Sequence, residues 1–285
     1  MLSNSISFIA AAALAAQASA FPSLMPRATA DTAAFSFLQR AAQLSSAAYT
    51  GCTGTAFDVT ITKQIYDAAT NAKGFVGYST EKKKISVVMK GSTTEQDILN
   101  DIDTTLTTPS LSGVTFPSGA QIMKGISSPW SAVHDTIISE VKTLIEKYPE
   151  YTLESTGHSL GGSLTLISYV ALASNFPEKE ITSNAMAAFP IGNSDWATYA
   201  GSFNGTLNRG NNVDDGVPNM YIQFPYDFVH YGTEYYSSGT EMTCVKCSGE
   251  RDTSCSAGNG QYSVTPGHFS SFGVELGAAG CGSLL

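Results

Sequence analysis

The sequence predicts an α/β fold, with a central, mostly parallel sheet flanked by helices in a single domain. Three observations carry this expectation. Short β-branched or alternating segments recur between longer segments of helical spacing. Residues 160–173 are apolar almost all round, which calls for a helix buried on every side. No repeat and no long Pro/Gly/Ser linker divides the 285 residues.

The elements follow in order. Ala34, Phe35, Phe37, Leu38, Ala41 and Ala42 lie near helical spacing and predict a first helix over residues 31–49. Residues 57–66 alternate and are β-branched, the pattern of a strand. Residues 74–78 and 85–89 read as two more strands, joined by a turn through residues 81–84. These early strands are expected to add antiparallel pairs. A long amphipathic helix is expected over 128–147, ending before Pro149, then a strand over 151–155 and the buried helix from Leu160. Two later strands are read at 185–189 and 220–224. Strands alternating with helices point to a parallel sheet.

Residues 1–20 carry no charged side chain, residues 6–16 are nearly all apolar, and Ala18-Ser19-Ala20 has the small-x-small pattern of a signal peptidase site. The expected organisation is a signal peptide over 1–20, an N-terminal segment over 21–30 open to trimming, and one folded domain over 31–285. The first apolar run is too short to span a bilayer, and no later run reaches about 18 apolar residues. A secreted, extracellular protein without a transmembrane anchor is therefore expected. The net charge of −9 argues against nucleic acid and anionic membranes as partners. The Lys82-Lys83-Lys84 cluster reads as a solvated turn.

Five cysteines in an oxidising compartment leave one unpaired. A Cys52–Cys281 bridge could tie the two ends together, and Cys247–Cys255 could close a hairpin loop, leaving Cys244 free. Alternatively Cys244 pairs with Cys247 or Cys255. A zinc site from Cys244, Cys247 and Cys255 lacks a fourth ligand, so no metal is expected. Asn204-Gly205-Thr206 is an N-glycosylation sequon.

The segment Ser155-Thr156-Gly157-His158-Ser159-Leu160-Gly161-Gly162 contains Gly-x-Ser-x-Gly between an expected strand and an expected buried helix. So tight a turn needs Gly157 and Gly161 where a Cβ would clash. It lifts Ser159 above the sheet edge at a helix N-terminus, where a developing negative charge is favoured and the Leu160 N–H can act as an oxyanion donor. Ser159 is thus a nucleophile in search of a base and an orienting carboxylate, which in this arrangement follow in the order acid, then histidine. His230 and His268 follow at a distance, and His268, in a loop-like stretch, is the favoured base. His158 should point away from Ser159 and be packed, and His134 is read as a surface residue of the long helix. For the acid, Asp214 and Asp215 both remain open, whereas Asp195 and Asp227 read as a helix cap and a turn residue. The chemistry is acyl transfer, which requires no cofactor.

These residues resemble the fungal class 3 lipase family of the α/β-hydrolase superfamily, which includes a branch of feruloyl esterases. The resemblance covers roughly residues 31–282. Four separated motifs match in order. They are Val88-Met89-Lys90-Gly91-Ser92-Thr93 for the oxyanion loop, the Gly157–Gly162 elbow, residues 209–218 for the acid loop, and Pro266-Gly267-His268-Phe269 for the histidine loop. The resemblance implies Asp215 as orienter, His268 as base, Ser92 as second oxyanion donor, and the disulfides Cys52–Cys281 and Cys247–Cys255. It places His230 outside the triad. Lys90 stands where the family usually has arginine, Met123 where a histidine is common, and residues 188–193 lack the family's arginine and are one residue shorter than the usual form.

The resemblance also implies a lid at residues 94–102, where Thr94 opens a modest amphipathic pattern with Ile98, Leu99 and Ile102 on one side. An ordinary surface helix or a polar flap is the alternative there. The implied activity is that of a monomeric serine ester hydrolase acting on acylglycerols at a lipid–water interface through a Ser159-Asp215-His268 triad. A feruloyl or short-chain carboxylesterase on the same scaffold is the alternative. A non-catalytic binding protein is argued against by the intact set of three residues.

Overall fold

In the computed structural model, residues 28–92 and 102–282 are described. The signal peptide expected over 1–20 lies outside these residues, as do Thr94, Ile98 and Leu99 of the expected lid; Ile102 lies within them. Ten strands form the main sheet: Thr29–Ala30 (β1), Thr55–Ala56 (β2), Val59–Tyr66 (β3), Lys73–Ser79 (β4), Lys84–Met89 (β5), Thr152–His158 (β6), Ile181–Met186 (β7), Thr206–Asn212 (β8), Thr233–Ser237 (β9) and Val245–Lys246 (β10). Their spatial order is β1-β10-β9-β8-β7-β6-β5-β4-β3-β2. The five strands β5 to β9 are parallel, and the strands flanking them on both sides are antiparallel.

Helix α1 (Thr32–Thr50) covers one face, while α2 (Lys124–Lys147) and α3 (Leu160–Asn175) cover the other. Alternation along β5 divides its side chains accordingly. Val87 and Met89 pack with α2 and α3, and Val88 packs with α1. A parallel strand covered on both faces becomes a continuous apolar run, which is why residues 85–89 are legible as a strand. Helix α1 opens on Asp31, whose side chain accepts from the Ala34 amide, and closes on Gly51 at φ 77°, a left-handed cap. Helix α2 begins about a turn earlier than its sequence pattern, because it runs through Pro129 rather than starting beside it.

Three expectations are corrected. Residues 220–224 form turns before a cis Phe224–Pro225 bond rather than a strand. The sheet positions belong instead to β8 and β9, whose polar sequences hide them. Their polar side chains are buried in pairs: Asn208 Nδ2 donates to Asn184 Oδ1 at 2.9 Å, and Asn211 Nδ2 donates to Glu234 Oε1 at 3.0 Å. The strand read at 185–189 runs over Ile181–Met186 and stops where Ala187 turns to φ 50°. His134 is buried rather than on the surface, its Nε2 2.9 Å from the Ser112 carbonyl.

Cys52 is bonded to Cys281 and Cys247 to Cys255, and Cys244 is a free, buried thiol. Beneath α1, Arg40 donates to Asp58 through Nε and Nη2 at 2.9 and 2.8 Å, and to both Glu154 oxygens through Nη1 at 2.9 and 3.0 Å. Burial alone would raise the Asp58 pKa, but the hydrogen bonds from Arg40 and Ser79 and the Arg40 charge together outweigh it and hold the carboxyl below its ordinary value. A carboxyl depressed in the folded state adds stability that is complete above its unfolded pKa, about 4, and is lost as pH falls through the folded value. Arg40→Met should therefore destabilise the protein by about 1–3 kcal/mol at pH 7, since Asp58 loses its cation while Glu154 keeps Lys84 Nζ at 3.4 Å and the Ser86 hydroxyl. In thermal melts from pH 7 to pH 3, that deficit should shrink below about pH 4 as Asp58 protonates.

Candidate active site

Only Ser159 separates β6 from α3. Its backbone lies at φ 60° and ψ −126°, a conformation that L-residues hold only when their surroundings impose it. The surroundings here are close main-chain contacts. A Cβ on Gly157 would stand 2.3 Å from the Gly161 carbonyl oxygen, one on Gly161 2.3 Å from that of Met89, and one on Gly162 2.4 Å from that of Met186. The Ser159 amide donates to the Met186 carbonyl at 3.0 Å, tying the turn to β7.

Two loops bring the other groups. After β8, Asp214 turns the chain at φ 62°, and Asp215 follows, fully buried. Asp215 Oδ1 accepts from the Val217 amide at 2.9 Å, and its two oxygens lie 3.0 and 3.1 Å from His268 Nδ1. His268 sits in the short helix Pro266–Phe269. That helix lies directly on the acid loop, because a Cβ on Gly267 would meet the Val213 carbonyl oxygen at 2.5 Å. Asn212 Nδ2 donates to the Gly267 carbonyl at 3.1 Å, and Thr265 Oγ1 donates to that of Asp214. The two loops are thus stitched into one unit, and of the two aspartates Asp215 is the one that meets His268.

The carboxylate beside Nδ1 calls for the proton on that nitrogen, which leaves Nε2 with a lone pair. His268 is anchored at the elbow, its carbonyl 2.8 Å from His158 Nε2. Ser159 Oγ and His268 Nε2 are both buried without a hydrogen-bond partner among the described residues. An acid–base pair of this kind often closes only around substrate.

Leu160 and Ser92 converge on the same place. Leu160 is the first residue of α3, so its amide is one of the unpaired donors of a helix N-terminus. Lys90, Gly91 and Ser92 leave the end of β5 and pass so close to the elbow that a Cβ on Gly91 would lie 2.1 Å from the Tyr49 hydroxyl and 2.4 Å from the His158 carbonyl oxygen. A cavity of about 480 Å³ opens here, lined among others by Ser92, Ile102, Leu160 and Leu164. A larger groove of about 990 Å³ runs past Arg40, Asp58, Glu154, Asn184 and Asn208 and contains none of the expected site residues.

The remaining expectations fall outside the site. His230 is buried, with Nε2 2.7 Å from the Pro218 carbonyl, and burial together with the Arg209 charge holds it well below the ordinary histidine range. Asp195 lies in the first turn of the helix Ser194–Gly201, whose cap is Asn193, and Asp227 is a turn residue at φ 51°. Asn204 is exposed in the turn before β8. Among the described residues, Glu234, Cys247 and Cys255 come within metal-ligand spacing, but both sulfurs are consumed by their disulfide. Sequence reasoning missed Tyr49, which lies in α1 and outside every motif; its hydroxyl reaches His158 at 3.1 Å.

Residues 86–224 match the family Lipase (class 3). A secreted alkaline triacylglycerol lipase of Penicillium cyclopium is 65% identical over 284 residues, covering 100% of each chain. A lipase of Rhizomucor miehei is 27% identical over 222 residues, 75% of this chain and 57% of that one. Among solved structures, a triacylglycerol lipase from Penicillium expansum superposes with a TM-score of 0.88 at 66% identity, covering 90% of this chain and 100% of the other. The Rhizomucor miehei lipase–propeptide complex shares the fold, with a TM-score of 0.76 at 24% identity over 89% of this chain and 84% of the other. The architecture is that of the α/β-hydrolases.

The packing at Gly91 generates a prediction. Gly91→Ala should push the oxyanion loop off the elbow and lower kcat by about a hundredfold, the scale of losing one oxyanion donor. Steady-state kinetics on a soluble ester, with a thermal melt to confirm folding, checks it.

Proposed function

The chain belongs to the class 3 lipase family, and from that premise we propose that it is a secreted serine ester hydrolase whose substrates are acylglycerols, triacylglycerols foremost. The observation that carries the mechanism is the Asp215–His268 pair, 3.0 Å apart, on a loop tied to the Ser159 elbow. Ser159 Oγ attacks the ester carbonyl while His268 Nε2 takes its proton. Asp215 holds the ring in the tautomer that leaves Nε2 free, and stabilises the imidazolium that forms. The negative charge on the carbonyl oxygen is received by the amides of Leu160 and Ser92. His268 then protonates the departing alcohol, leaving an acyl-Ser159 ester. Water, deprotonated by His268, attacks that ester, and the proton returns to Ser159 Oγ as the acid leaves. Neither a metal nor an organic cofactor enters these steps.

Acylglycerols are favoured as substrate by the 65% identity to a secreted triacylglycerol lipase across the whole chain. Two disulfides fit an oxidising, extracellular setting. Among the described residues no helix is long and apolar enough to cross a membrane. The enzyme works as a monomer at a lipid–water interface. We assign residues 31–285 to one catalytic domain.

Two measurements test this. Emulsified triacylglycerol, p-nitrophenyl butyrate and methyl ferulate are compared with wild type and Ser159→Ala. Serine-dependent hydrolysis that rises once the glyceride exceeds its solubility supports the lipase reading. Activity on ferulate or short soluble esters alone overturns it, and unchanged activity in Ser159→Ala overturns the mechanism. Asp215→Asn should keep the fold and lower kcat by about 10⁴-fold through the wrong histidine tautomer.

A further inference from the structure

Tyr49 and His158 take no part in the chemistry above, yet three loops of the site converge on them. The Tyr49 hydroxyl lies 3.1 Å from His158 Nδ1 and 3.3 Å from the His158 carbonyl oxygen. It also occupies the space that a side chain on Gly91 would take, 2.1 Å from that residue's Cβ position. On its other side, His158 Nε2 is 2.8 Å from the His268 carbonyl, and the two imidazole rings lie 4.5 Å apart. The pair therefore touches the oxyanion loop, belongs to the elbow and holds the histidine loop.

The hydrogen-bond chain has only one direction. The His268 carbonyl can only accept, so His158 Nε2 must carry the proton. In a neutral ring Nδ1 must then accept, and the Tyr49 hydroxyl is the donor it meets. Burial, and after it the neighbouring His268, hold His158 well below the ordinary histidine range, so the ring stays neutral. Burial likewise holds the Tyr49 hydroxyl protonated by raising its pKa.

We propose that Tyr49 and His158 are positioning residues that set the placement of His268 relative to Ser159, a role that rests on the triad reading above. Asp215 grips the His268 ring at Nδ1, but its own loop could move as a unit and carry the ring with it. The His158 bond removes that freedom. It fixes the His268 main chain from the residue next to the nucleophile, although the two histidines are 110 positions apart in sequence. Nucleophile and base are thus spaced through one side chain. Because Tyr49 also packs on Gly91, the same post spaces the oxyanion loop.

The test is a cycle of variants: His158→Leu, His158→Gln, Tyr49→Phe and Tyr49→Phe/His158→Leu. Each is measured for kcat and KM on p-nitrophenyl butyrate, for the rate of Ser159 labelling by a fluorophosphonate, and for its thermal midpoint. His158→Leu keeps the volume and loses the donor. Its kcat and labelling rate should fall by about ten- to a hundredfold, the scale of a misplaced catalytic group, with KM unchanged within about twofold. His158→Gln restores an N–H donor toward the His268 carbonyl and should recover most of that loss. Tyr49→Phe should lower kcat by a smaller factor and add nothing in the His158→Leu background, since the two act in one chain. Three outcomes would overturn the proposal: an unchanged kcat in His158→Leu, a His158→Gln variant no better than His158→Leu at equal stability, or independent, multiplying losses in the double variant. If His158→Leu does not fold, Tyr49→Phe and His158→Gln decide. Lowered kcat at constant KM in the former, with near-normal activity in the latter, supports the pair; an unchanged Tyr49→Phe overturns it. Ser159→Ala is measured alongside. If it retains ester hydrolysis the triad reading itself fails, an outcome separate from failure of the positioning pair.

Discussion

The close crossing of β6 into α3 at Ser159 is the constraint on which the rest depends. It forces one non-glycine residue to φ 60°, a strain of about 1–3 kcal/mol. What offsets it is the helix that follows. Leu164, Leu166, Ile167, Val170 and Leu172 of α3 are all buried, at about 1.5–3 kcal/mol for each large apolar side chain. The three glycines of the elbow are places where main chain meets main chain, and each forbids a Cβ for a different neighbour: Gly161, Met89 and Met186. The nucleophile is therefore held by two adjoining strands, not by its own turn alone. A substitution anywhere on those contacts would be felt at the serine hydroxyl.

The acid and base are organised differently. Neither Asp215 nor His268 lies in a strand or a long helix. Their precision comes from mutual attachment: Gly267 against Val213, Asn212 to Gly267, Thr265 to Asp214, and the carboxylate to the imidazole. The loop pair then behaves as one body that must be registered against the elbow. That registration runs through His158, whose two ring nitrogens are both engaged.

What could be read in the sequence follows the physics of each element. Helix α3 and strand β5 were legible because burial on all sides leaves an apolar run. Strands β8 and β9 were not, since their buried positions carry Asn, Arg and Glu whose partners lie on neighbouring strands and loops. No periodicity within a single segment reports such pairing. His134 was misplaced on the surface because its partner is a carbonyl 22 positions away. The elbow and His268 stood out because glycine, serine and histidine at those spacings have few other uses. Asp214 and Asp215 could not be separated from their residue types alone. Resolving them takes the backbone, where one turns the chain and the other faces the imidazole. Tyr49 carries no signal at all, being an aromatic in an amphipathic helix like many others.

The Cys52–Cys281 bond joins residues 229 positions apart, so it closes nearly the whole folded chain into a ring. A ring of that size can be completed only after synthesis and translocation have delivered Cys281. Until then Cys52 meets Cys244, Cys247 and Cys255 first, and wrong pairings have the earlier opportunity. The native pairing is thus chosen by the fold, which brings Cys52 and Cys281 together, rather than by the order of emergence. The surplus thiol is then withdrawn from exchange. Burial, assisted by Asp31, pushes the Cys244 pKa up to about 11, so in the finished protein it is neither exposed nor ionised enough to attack the two bonds. Maturation thus ends in a state whose covalent pattern the core itself protects.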